Sequence, residues 1–249
     1  MQHTTHNEKH TIARRVTGLV VLFLGCLLAS ATLEAGTITV TFNNALNMQL
    51  IDRTVDNGAN WYTTDTGLFQ FTFNSGGNGG LGTVFYAFCI EPREFISPGQ
   101  VVNYQWSALQ GGTTNIGGMG AAKAAQIDEL FGRYAPKLDG SISALQASAL
   151  QISIWEIVRE TSGTLDVYSG TTRYANPQGS LETQALALAE TYVTSLDGTG
   201  LKLTNLQALI NIGVQDVVVQ SDAPEPGTCA VFGAGLLALG GLSRKLRRA

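Results

Sequence analysis

The sequence predicts an α+β fold: a β-sandwich-like body with a helical insertion, flanked by an N-terminal signal peptide and a C-terminal membrane helix. Three observations carry this. Alternating and continuously apolar runs fill the first half, apolar residues recur at helical spacing in the middle, and each end holds a short apolar run beside basic residues. Glycine is frequent, at 29 of 249 residues, and charge is sparse, at 14%. That balance suits a loop-rich exported domain better than a cytosolic enzyme. Hydrophobic residues make up 44%, too many for a disordered chain.

The strands come first. Residues 37–42 alternate, and so do residues 68–73, with Phe69, Phe71 and Phe73 on one face. Residues 75–80 form a glycine-rich turn. Residues 84–90 are continuously apolar, as in a strand covered on both faces, and 101–106 is a further strand. Helices follow. Residues 121–134 place Ile127, Leu130, Phe131 and Tyr134 at helical spacing, and Pro136 ends the run. Residues 143–160 form a second helix with Leu145, Ala149 and Ile152 on one stripe. Ser180 can cap a third, along which Leu181, Ala185, Leu188 and Tyr192 recur. Strands return at 201–204 and 214–220.

The ends are read apart from this body. Lys9, Arg14 and Arg15 precede an apolar run at 16–28. Ala29-Ser30-Ala31 and Ala35-Gly36 then offer cleavage sites, so residues 1–35 read as a secretory signal peptide. The run is shorter than the roughly 20 residues of a spanning helix. At the other end Pro224-Glu225-Pro226-Gly227 precedes an apolar run at 228–242, followed by Arg244, Lys245, Arg247 and Arg248. A breaker, a short apolar helix and a basic stop form a topology signal. The body is residues 36–222, with 8 Lys+Arg against 16 Asp+Glu and a net charge of −8. Such a domain is a poor partner for nucleic acid or anionic lipid.

All three histidines, His3, His6 and His10, fall in the signal peptide. This excludes His-dependent triads and the usual zinc sites from the body. Glu91 and Glu94 flank Pro92 in a loop, and Glu156 and Glu160 at i, i+4 read as a solvated helix face. Asp52, Asp56 and Asn57 before Gly58 read as a surface turn, with weak calcium binding as the alternative. Neither a metal nor a cofactor is expected, and no enzyme. Cys26 and Cys229 lie in the end segments. Cys89 is therefore the only cysteine of an exported domain, and no disulfide within the domain is open to it.

The order Pro224-Glu225-Pro226, apolar run, basic terminus resembles the PEP-CTERM sorting signal over residues 223–249. The resemblance implies processing by an exosortase-like membrane protease, transient inner-membrane insertion, and delivery to the surface or an exopolysaccharide matrix. Within the body, Phe88-Cys89-Ile90-Glu91 and Gln151-x-x-x-Trp155 together resemble the thioester domains of bacterial surface adhesins. Leu150 stands where that family commonly has Thr or Gln, and Ser153 where Ala is frequent. The resemblance implies a bond between the Cys89 thiol and the Gln151 side chain, shielded by Phe88 and Trp155. Its target would carry amine or hydroxyl groups. Tyr86 and Trp106 are further candidates for the apolar wall.

Two other expectations stand beside this one. A lone cysteine on an apolar strand is ordinarily a small buried hydrophobe. Gln151 would then be a helix-surface residue, Trp155 a core anchor, and the protein a non-covalent structural or carbohydrate-binding matrix component. Gln146 competes with Gln151 as a partner but lacks a tryptophan four residues on. The third expectation is a secreted hydrolase using the carboxylates.

Overall fold

The computed structural model describes residues 36–175 and 179–221, and Gly235. The segments expected to be a signal peptide and, Gly235 apart, a sorting signal with Pro224, Glu225, Pro226, Arg244, Lys245, Arg247 and Arg248 lie outside the described residues. The chain runs β1 (Thr37–Thr54), β2 (Tyr62–Gly76), β3 (Val84–Cys89), β4 (Val101–Ala108), α1 (Gly120–Tyr134), α2 (Ala144–Arg159), β5 (Arg173–Ala175), α3 (Ser180–Thr194), β6 (Leu206–Ile210) and β7 (Val217–Gln220).

Six antiparallel strands close into a barrel in the order β2-β3-β7-β6-β4-β1, with β1 returning to β2. The expected sandwich is thus one sheet wrapped on itself, not two packed sheets. β1 makes this possible. It is 18 residues long, pairs with β2 along most of its length, with β4 through residues 37–41, and with β5 through residues 52–54. Three register shifts, at Thr39/Val40, Phe42/Asn44 and Leu46/Gln49, bend it enough to turn the corner.

Alternation along the strands sorts two cores. Ile38, Val40, Phe42, Phe71, Phe85, Ala87, Tyr104, Leu209, Val217 and Val219 fill the barrel. There Phe71 stacks on Phe85 at 5.3 Å between ring centroids, and Phe42 meets Phe69 at 4.9 Å. The intervening residues Phe88, Val218 and Ala208 face the other way and join Ile127, Leu130 and Phe131 of α1, the apolar residues of α2, and Ala185 and Ala189 of α3. The helices therefore cover one flank of the barrel, and β3 is covered on both faces as its apolar run predicts.

Other differences have local causes. α2 does not carry a single apolar stripe, because every residue of the stretch 147–158 is buried. It lies between the barrel and α3, and a helix enclosed on all sides needs no polar face. Ser180 is the first helical residue of α3 and Gly179 its N-cap, without a side-chain cap. The strand expected at 201–204 falls instead at Leu206–Ile210, because residues 201–203 are held on α1, where the Leu203 N–H donates to the Asp128 carbonyl at 2.9 Å. Among the described residues no helix is long and apolar enough to cross a membrane.

Gly132 marks that contact. A Cβ there would collide with the backbone carbonyl of Leu201. Alanine ordinarily favours a helix interior over glycine by about 1 kcal/mol. Gly132→Ala is nevertheless expected to destabilise the domain, read as a lower urea midpoint; a raised midpoint would show that the contact yields.

Candidate functional site

β3 loses a neighbour before it ends. On one side Cys89 sits opposite Val217, and the Ile90 N–H reaches the Asp216 carbonyl at 2.9 Å. On the other, pairing with β2 stops at Phe69 opposite Ala87. Continued, that register would set Gly67 opposite Cys89. β2 there follows the β1 bulge between Leu46 and Gln49 instead. The Cys89 N–H and C=O are left facing a gap, and buried backbone groups must find partners.

The Gln151 side chain fills it. The Cys89 N–H donates to Gln151 Oε1 at 3.0 Å, and Gln151 Nε2 donates to the Cys89 carbonyl at 2.7 Å, across 62 residues of chain. A primary amide carries the same donor and acceptor as a peptide unit, so Gln151 stands in for the missing strand residue. One turn earlier Ser148 Oγ donates to the Thr66 carbonyl of β2 at 3.2 Å. α2 is thus wedged into the split between β2 and β3. Its phase is set at its start by a capping box: Ser143 Oγ accepts from the Gln146 N–H, and the Gln146 side chain returns to Ser143. Gln146, the rival partner, is occupied there.

The sulfur is fully enclosed. Cys89 is 0% exposed, Gln151 1% and Trp155 2%. The Glu91 N–H donates to Cys89 Sγ at 3.3 Å. Burial pushes the thiol up to about 12, against smaller downward pulls from the Trp155 indole, the Glu91 N–H and Arg53. At neutral pH the group is a thiol. The Trp155 indole N–H lies beside the sulfur but is not aligned on it, and has no partner among the described residues. The Arg53 guanidinium lies 4.8 Å over the Trp155 ring and donates to the Pro92 carbonyl. Tyr174 Oη donates to the Ile152 carbonyl at 3.1 Å and ties β5 to α2.

Of the expected wall, Trp155 lies at the sulfur. Phe88 is fully buried across the strand, edge-on to Phe131 at 5.9 Å. Tyr86 accepts from Gln70 at 3.4 Å, and the Trp106 indole donates to the Gly77 carbonyl at 2.7 Å, so both are engaged elsewhere. Leu150 and Ser153 are buried on the remaining sides of α2, Ser153 Oγ donating to the Ala149 carbonyl at 2.8 Å.

The carboxylates differ from expectation. Glu156 and Glu160 are not on a solvated face: both are buried under the loop that follows α2. Glu156 accepts the Asp166 N–H at 3.0 Å, and Glu160 accepts the N–H groups of Thr161 and Thr172 at 2.6 and 3.1 Å. Burial raises Glu156 to about 8. Glu91 is also buried, with Oε1 lacking a partner among the described residues. Burial, then Asp216, raise it to about 7. Asp56 closes the expected turn, accepting from Thr54 Oγ1 at 2.6 Å and the Asn60 N–H at 3.0 Å. Among the described residues no group of three or more His, Cys, Asp or Glu side chains could hold a metal ion.

Arg53, Ser148 and Tyr174 were not anticipated. Arg53 had one available signal, its place at i+2 between Ile51 and Val55, all three buried in the structure. An arginine in an apolar alternation marks a charge turned inward.

The raised carboxyls make stability fall with pH. The unfolded chain releases the Glu91 and Glu156 protons near 4.5, whereas the folded state holds them to about 7 and about 8. Their contribution is complete below pH 4.5 and is lost as pH rises through that window. Asp56 and Asp139, depressed to about 2 by hydrogen bonds, act oppositely and weaken the fold only below their unfolded value of 3.8. Urea unfolding is expected to give greater stability at pH 5 than at pH 8.5, with Glu156→Gln flattening the slope. An unchanged slope in that variant would remove Glu156 from the account. No family model, no curated protein and no solved structure matches the chain.

Proposed function

We propose that this is an exported surface or matrix protein in which Cys89 and Gln151 form an internal thioester for covalent attachment to a target bearing amines or hydroxyls. The observation that carries the reading is the Cys89 N–H hydrogen bond to Gln151 Oε1 at 3.0 Å. The amide carbon is thereby held beside the residue that bears the sulfur. As sulfur adds to that carbon, charge grows on Oε1, where the N–H already points. The unaligned Trp155 N–H is a second donor within the enclosure. The carbon–nitrogen bond then breaks, the thiol proton passes to the departing nitrogen, and ammonia leaves. The product is an acyl group on sulfur, kept from water by the same burial that raises the thiol's pKa.

The alternative reading is a non-covalent structural or carbohydrate-binding matrix protein. It is favoured by the completeness of the Gln151 pairing, since both halves of the amide already have partners. Intact mass separates the two. The thioester predicts a mass short by one ammonia, restored in Cys89→Ala and Gln151→Ala, and addition of methylamine to the wild-type chain alone. A wild-type mass equal to the sequence mass after complete folding leaves the non-covalent protein.

Surface delivery rests on the sequence at 224–248, and exosortase-like processing is part of the proposal. Alanine at Pro224, Glu225 and Pro226 is expected to hold the protein in the inner membrane, where the apolar run and Arg244–Arg248 act as a stop. Unchanged release from that variant in cell fractionation would remove the sorting signal from the account.

A further inference from the structure

Three of the body's eight cations gather around Trp155. Arg53 lies over its ring. Arg159 follows it by one helical turn on α2. Arg93 follows Pro92, whose carbonyl accepts from Arg53. They form a gradient of exposure toward the sulfur: Arg93 is exposed, Arg159 half-buried, and Arg53 only 4% exposed. Among the described residues none of the three makes an ion pair. Arg53 Nε and one terminal nitrogen of Arg159 are buried without any partner. Arg53 and Arg159 are both held below their ordinary pKa, by burial first and then by neighbouring guanidiniums, and Glu91 is the one carboxylate that offsets this at Arg159.

A domain of net charge −8 has acid enough to pair these groups, yet leaves them unpaired. A buried guanidinium without a counter-charge is costly unless something supplies the charge. Lys123 borders Arg159, but its ammonium is engaged by the Val158 and Glu160 carbonyls at 2.6 and 3.0 Å, and the guanidinium fork matches a planar carboxylate. Tyr62 sits opposite Arg53 across the β1–β2 ladder, and Trp61 and Tyr62 are 44% and 53% exposed, a flat apolar surface beside the charge.

We propose that Arg53, Arg93 and Arg159 form a binding site for the carboxylate of an acidic saccharide of the uronate type, beside the Cys89–Gln151 pair. This rests on the thioester reading for its purpose: the carboxylate anchors at the rim of the enclosure, and a hydroxyl or amine of the same molecule attacks the acyl carbon once the enclosure opens. That nucleophile forms the new bond, the carbon–sulfur bond breaks, and the nucleophile's proton goes to sulfur. The acidic body repels long polyanions at a distance, so recognition is local and screened by salt.

The test uses the full-length Cys89→Ala chain, which cannot form the thioester, so binding is measured independently of that bond. Titration calorimetry with D-glucuronate is expected to show saturable binding that weakens with salt, and none with D-glucose, which differs in the carboxylate. Arg93 is exposed, so Arg93→Gln should keep the thermal midpoint while weakening glucuronate about tenfold, the loss of one charge-assisted hydrogen bond. Arg159→Gln is expected to do the same. Absence of glucuronate binding, equal binding of glucose, or no loss in either variant overturns the site. Inorganic phosphate competing as well as glucuronate overturns the saccharide. The intact mass of the wild-type chain reads the thioester separately.

Discussion

A strand edge that loses its neighbour inside a protein has to satisfy its backbone some other way, and at Cys89 that duty falls to one side-chain amide. The requirement is strict because the site is dry: a buried N–H or C=O without a partner costs about 1–3 kcal/mol. Two hydrogen bonds of 3.0 and 2.7 Å answer it, and much else follows from them. α2 must enter the barrel flank deeply enough to deliver Gln151, so it is enclosed on every side. The segments after it must then cover its far end, which places Glu156 and Glu160 under the following loop and brings Tyr174 back to the Ile152 carbonyl.

The same depth sets the electrostatics. Burial pushes the Cys89 thiol to about 12 and lifts Glu91 and Glu156 into the neutral range. The local environment thus opposes charge on acids while three arginines remain nearby, two of them with unpartnered nitrogens. An apolar core of ordinary make-up does not concentrate such groups around one tryptophan. Their assembly where a strand, a helix and a loop converge is what distinguishes this end of the barrel from the interior around Phe71 and Phe85.

Much of this was legible in the sequence because local pattern and tertiary role agreed. Strand β3 and the three helices follow from periodicity. Cys89 and Gln151 came from two short motifs, and the structure brings them together. The structure has a closed barrel in place of the sandwich because β1 pairs with both β2 and β4, and its bulges carry no strong local signature. The solvated reading of Glu156 and Glu160 failed because helical spacing describes a face but not what lies over it. Arg53 was passed over for a related reason: one charged residue within an alternating run looks like a break in the pattern, whereas here it is the pattern's buried member.

The order in which the strands close has a consequence for biogenesis. β3 receives Gln151 from α2 on one edge, but its other edge is completed by β7, the last strand among the described residues. A polypeptide threaded across a membrane from its N-terminus, as the leading segment predicts, presents Cys89 early and Val217 late. Until that final strand docks, the sulfur has no finished enclosure, and long-range closure of this kind is slow compared with helix formation. The geometry that would make a reactive group is therefore deferred until the last described strand is in place, which under the proposed export would come after the rest of the body has crossed.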